Sequence, residues 1–166
     1  MTRILALLLG VAVLAAAGAA GWEMANSPDA GCTLERWVCG SRFSRFDTEI
    51  LEIAKRYGID AAELKAAAWS GSGFRSGHED GDSVRGLCAV KREEGFAWAK
   101  DRGIETFLPV DLWDPVTALE VRAWAIKRDG RAGTFVGGGR FVRYLQATGF
   151  GGRSETGLPG AGASSF

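Results

Sequence analysis

The chain has 166 residues, 46% of them hydrophobic and 24% charged, which suits one globular domain with a leader and a short tail. Its 20 Lys and Arg balance its 20 Asp and Glu, so neither a nucleic-acid footprint nor a polybasic membrane patch is expected. A single histidine, His78, excludes a His-rich metal site, and no metal or cofactor is expected.

The amino terminus reads as an export signal over residues 1–21. Thr2 and Arg3 form a short basic start, Ile4 to Ala17 is apolar apart from Gly10, and Gly18 to Gly21 supply the small residues a signal peptidase needs, with cleavage expected near Ala20. The alternative is an uncleaved anchor, because Ile4 to Gly21 is long enough to cross a bilayer of about 30 Å at about 1.5 Å per residue. Either reading makes the domain periplasmic or extracellular, touching a membrane only through this segment if it is kept. Asp29, Ala30 and Gly31 before Cys32 lack the apolar residue of a lipoprotein signal, so lipidation is not expected. Residues 32–45 form a Cys-containing lead-in. Cys32 and Cys39 bracket a short segment holding Trp37, and a local disulfide between them is expected in an oxidising compartment.

Helical patterns fill most of the remainder. Ser44 or Asp47 caps a helix through Tyr57, with Ile50, Ile53, Ala54 and Tyr57 on one face and Gly58 as its stop. Asp60 and Glu63 form a capping-box pattern for the next helix, which is expected to end at Gly71. A further helix is expected from Leu87 to Lys100, with Val90, Phe96 and Ala97 inward and Gly103 as its stop. Asp114 before Pro115 starts another, whose stripe of Leu119, Ala123 and Ile126 runs to Gly130. Short alternations at Ser83 to Arg85 and Glu105 to Val110 are the only strand signals. The tail, residues 151–166, is rich in Gly, Ser and Ala without periodicity and is expected to be disordered. Of six tryptophans, Trp113 alone falls in a loop, where it is either an exposed platform or core.

Two short motifs carry the functional signal. The run Lys65 to Trp69 leads into Ser70, Gly71, Ser72, Gly73 and Phe74, and Gly86-Leu87 follows Gly71-Ser72 at a separation of fifteen. This resembles the lysozyme-like lytic transglycosylases of bacterial cell walls, whose apolar helix ends in ESxF fifteen residues before a GLMQ-type helix start. The resemblance runs from Phe46 to Tyr144 and implies a mainly α, lysozyme-like helical domain over residues 46–150 with little or no sheet. Ser72 and Phe74 match the Ser and Phe of that pattern; Gly71 stands at its Glu and Ala89 at its Gln. The family's later YNAGPGxV motif corresponds to Phe135 through Val142, where Phe135 lacks the hydroxyl and Val136 the amide, and its DPxxNIxxG helix corresponds to the one at Asp114, where Ala118 stands at the Asn.

The resemblance therefore implies a site without its acid. Glycosidic cleavage needs a carboxylic acid that delivers a proton to the leaving oxygen, an effect typically worth about 10²–10⁴ in rate, and glycine has no side chain to do so. Glu79 is the first substitute, Asp80 the second; with Asp82 they lie in a polar, Gly-rich loop that reads as solvated and lacks the spacing of a calcium loop. Cys88, at an apolar position of the family pattern, reads as a small buried hydrophobe.

Three functions remain open on this basis. The first is an exported pseudoenzyme that binds peptidoglycan glycan strands through Ser72, Phe74, Phe135 and Tyr144. The second is an active transglycosylase or muramidase using Glu79. The third is a docking module for an envelope or virion protein partner.

Overall fold

The computed structural model describes residues 2–81, 84–129 and 138–151. Two compact units divide the chain, Met1–Gly40 and Ser41–Phe166. The first holds helix α1 (Thr2–Asn26) and helix α2 (Ala30–Cys39), the latter capped by Asp29, whose carboxylate accepts the Cys32 N–H at 3.1 Å. This continuous α2 corrects the expected disulfide. Seven residues at about 1.5 Å rise separate the Cys32 and Cys39 backbones by roughly 10 Å, beyond the reach of a disulfide of about 7 Å or less.

The second unit is mainly α, as expected. Helix α3 (Asp47–Tyr57) buries Ile50, Ile53, Ala54 and Tyr57 and ends at Gly58, whose left-handed backbone (φ 68°) returns its N–H to the last turn. Asp47 is the first helical residue rather than a cap, so its carboxylate is free to point inward. Helix α4 (Ala61–Ser72) starts on Asp60, which accepts the Ala62 N–H at 2.8 Å. It packs on three other helices and is buried on nearly every side, which explains its alanines: only small side chains allow close approach all round.

Beyond α4 lies a small antiparallel sheet of three two-residue strands, β1 (Glu79–Asp80), β2 (Val84–Arg85) and β3 (Val90–Lys91), with Glu79 opposite Arg85 and Val84 opposite Lys91. Helix α5 (Arg92–Asp101) starts five residues later than its pattern suggested, because Ala89 is left-handed (φ 46°) and Val90–Lys91 pair with β2. It buries Gly95, Trp98 and Ala99 and turns Phe96 and Ala97 outward, opposite to the expected face. Glu105 to Val110 forms no strand; Pro109–Trp113 is a 3₁₀ turn. Helix α6 (Pro115–Asp129) begins as expected, with the Asp114 carboxylate accepting the Thr117 N–H at 2.8 Å, and buries Leu119, Ala123 and Ile126. Helix α7 (Gly138–Ala147) closes the unit by laying Phe141, Tyr144 and Leu145 against the core, where α4 receives it. Asp82, Ser83, Gly130, Phe135, Val136 and the tail beyond Gly151 lie outside the described residues.

Candidate functional site

The fifteen-residue spacing of the two motifs has a physical counterpart. The end of α4 lies directly on the turn Gly86–Ala89. The Ser72 hydroxyl donates to the Leu87 carbonyl and accepts the Arg75 N–H at 3.0 Å, so this buried serine ties helix to turn. Its polar atoms are spent inside the protein, which corrects its expected role as a sugar ligand.

Gly71 sits one residue earlier, where a β-carbon would meet the carbonyl carbon and oxygen of Cys88, each at 2.7 Å, and the Ala89 β-carbon at 3.1 Å. Two of these three atoms are main chain, which cannot swing away. The position that would carry a catalytic acid is therefore a close contact between two backbones, with no room for a side chain of any length. Gly86 is as constrained on its other side: its backbone is left-handed (φ 77°), and a β-carbon would fall 1.9 Å from the Leu112 carbonyl oxygen. Its N–H donates to the His78 carbonyl at 2.9 Å.

Arg122 holds the turn from α6, reaching the Cys88 and Ala89 carbonyl oxygens at 3.1 and 3.2 Å and the Glu94 carboxylate at 3.5 Å. Sequence reading missed it, although a charge inside the apolar stripe of α6 was the available signal. Between these groups the Cys88 side chain is fully buried. Burial pushes its thiol up to about 12, against the pull of Arg122 and with a small contribution from Glu94, so it is a neutral packing group and no nucleophile.

Phe74 follows the α4 cap Gly73 in a left-handed backbone (φ 60°), uncommon for an aromatic residue and costing on the order of 1–3 kcal/mol. Burial of its ring offsets that cost. It lies 5.8 Å from both Trp69 and Phe43, Trp69 stacks on Phe141 at 5.6 Å, and Phe141 stacks on Tyr144 at 5.9 Å. The structure thus brings Phe74 and Tyr144 together, but in an aromatic core and not along an open groove, because each ring is covered by the others. Phe135 lies outside the described residues.

What faces solvent is the sheet and the 3₁₀ turn. Glu79 pairs with Arg85 at 3.1 Å across β1 and β2, and the Arg85 guanidinium lies 5.5 Å from the Trp113 ring centroid. Trp113 is 44% exposed, so it stands at the surface and not in the core. Glu79, also exposed, has the company of a cation and water, not the apolar enclosure that a general acid needs. Among the described residues no three His, Cys, Asp or Glu side chains cluster to hold a metal.

A second buried cation escaped sequence reading. Lys65, with no exposed surface, places its ammonium 2.5 Å from the Asp47 carboxylate and 4.1 Å from the ring centroids of both Phe43 and Phe150. Its signal was one lysine inside the run Ala61 to Trp69. Compared with known proteins, the chain matches no family model, no curated protein and no solved structure.

Proposed function

We propose that this chain is an exported, transglycosylase-like protein that does not cleave glycan and acts as a peptidoglycan-binding, wall-associated module. The observation that carries the first half is the contact at Gly71, where the Cys88 main chain fills the space a catalytic acid would need. The second half is supported by the surface row of exposed Glu79, half-buried Arg85 and exposed Trp113, an aromatic ring flanked by a donor and an acceptor, the combination that stacks on a sugar ring and bonds its hydroxyls. Binding through this row replaces binding through Ser72, Phe74 and Tyr144.

Incubation of the purified protein with insoluble peptidoglycan tests both halves, scored by pelleting and by release of anhydro-muropeptides. Pelleting without release is expected, weakened several-fold by Trp113→Ala. Release that Glu79→Gln abolishes would establish the relocated acid and overturn the proposal. A docking module is the second reading, favoured by the exposed apolar side chains Leu108, Val110 and Val116 in the same stretch as Trp113. It expects no pelleting at all.

A further inference from the structure

The first unit carries its own pattern. Residues Leu8–Asn26 of α1 are 19 in number and apolar enough to cross a membrane; at about 1.5 Å per residue they span roughly 28 Å, close to the hydrocarbon thickness of a bilayer. None of that window is buried, and Leu8, Leu9, Val11, Val13 and Leu14 stand exposed around the helix. The turn that follows is fixed by polar bonds. Ser27 and Thr33 share a hydroxyl hydrogen bond at 2.5 Å, the Asp29 N–H donates to Ser27 at 3.1 Å, and Arg36 of α2 reaches Glu23 of α1 at 3.9 Å. These bonds set α2 beside the last turns of α1.

α2 has two faces. Cys32, Thr33 and Cys39 are buried, whereas Leu34, Trp37 and Val38, at i, i+3 and i+4 on the opposite side, are exposed, Val38 by 73%. Glu35 borders that strip, and Arg36 turns to Glu23 of α1.

We propose that α2 is a membrane-surface helix, with Leu34, Trp37 and Val38 seated in the interfacial layer of the bilayer that α1 crosses. Lipid is the occupant that fits because the strip continues from a helix of membrane-spanning length, and because Trp37, with the exposed Trp22 near the end of α1, belongs to the residue type favoured at that depth. It follows that α1 is retained as an anchor and that α2 binds by apolar insertion, since Glu35 and Arg36 leave it without net charge. This inference is independent of the glycan reading.

The full chain reconstituted in phosphatidylcholine vesicles, with acyl chains brominated near the headgroup, tests it by tryptophan quenching. Trp37→Phe is expected to remove a blue-shifted, quenchable part of the emission, equally at low and high salt. Leu34→Glu with Val38→Glu is expected to shift the Trp37 emission to the red while the protein stays in carbonate-washed membranes through α1. Equal quenching with and without Trp37 overturns the proposal. So does a blue-shifted Trp37 that bromolipid leaves untouched, which means that protein, a second copy included, covers the face. Exported protein that lacks α1 and washes off with carbonate also overturns it.

Discussion

At Gly71 a single hydrogen in place of a β-carbon lets α4 touch the Cys88 main chain. Gly71→Ala gains up to about 1 kcal/mol of helix propensity, but overpacking against an immobile main chain costs about 1–3 kcal/mol, so the net effect is destabilising. Thermal unfolding is expected to show Gly71→Ala below the wild type and Gly71→Glu lower still, and Gly71→Glu is expected to release no muropeptides although it places a carboxylate at that position. Cys88 lies on the other side of that contact. Its folded-state pKa stands above the ordinary value of 9.0 at about 12, so the folded protein keeps a proton that the unfolded chain loses. The associated stability is whole below pH 9 and is lost as pH rises toward 12, at up to about 1.4 kcal/mol per pH unit. Denaturant unfolding at stepped alkaline pH is expected to show this decline, and Cys88→Ala to remove that part of the slope. At neutral pH a maleimide is expected to label Cys88 only as fast as the protein unfolds.

Among the elements, α4 does most to organise the second unit, and its one buried charge is the Lys65 ammonium. Ion pairs of this kind are costly to break from one side and cheap to replace whole. Asp47→Asn is expected to lower stability by about 2 kcal/mol, less than a fully buried pair would because the Asp47 side chain keeps 29% of its exposure. Lys65→Met keeps a long apolar stem between Phe43 and Phe150 and is expected to cost less than Asp47→Asn, while the double variant recovers most of what Asp47→Asn loses. Chemical denaturation of the three proteins checks that order. Element starts and stops were legible where local chemistry decides them: Gly58 ended α3, Asp60 opened α4, and Asp114 with Pro115 opened α6. The start of α5 was not, because periodicity through Leu87 to Val90 cannot report that Ala89 turns left-handed to let β3 pair. The candidate site divides in the same way. The fifteen-residue spacing singled out both Gly71-Ser72 and Gly86-Leu87, whereas the contact of Gly71 with Cys88 and Ala89, the inward turn of Phe74 and Tyr144 and the two buried cations follow from tertiary approach, which no local pattern encodes.

Across the whole molecule, the division at Gly40 separates two kinds of stability. The unit Ser41–Phe166 has a core of its own, built where α4 meets α3, α6 and α7 and completed by the contact of α6 with α5. The unit Met1–Gly40 leaves Leu8, Leu9, Val11, Val13, Leu14 and Trp22 exposed and, among its described residues, buries only Cys32, Thr33 and Cys39. Apolar burial is the main source of folding free energy, so the second unit is expected to fold without the first. A fragment starting at Ser41 is expected to melt in one cooperative transition within about 2 °C of the full chain in detergent, a shift that corresponds to less than about 1 kcal/mol for a domain of this size. Circular dichroism on both proteins measures this. A broad transition, or a midpoint many degrees lower, would mean that the amino-terminal helices belong to the fold. Because the Glu79, Arg85 and Trp113 row lies wholly within the fragment, its pelleting with peptidoglycan is expected to equal that of the full chain, which separates any glycan affinity from the membrane affinity of α1 and α2.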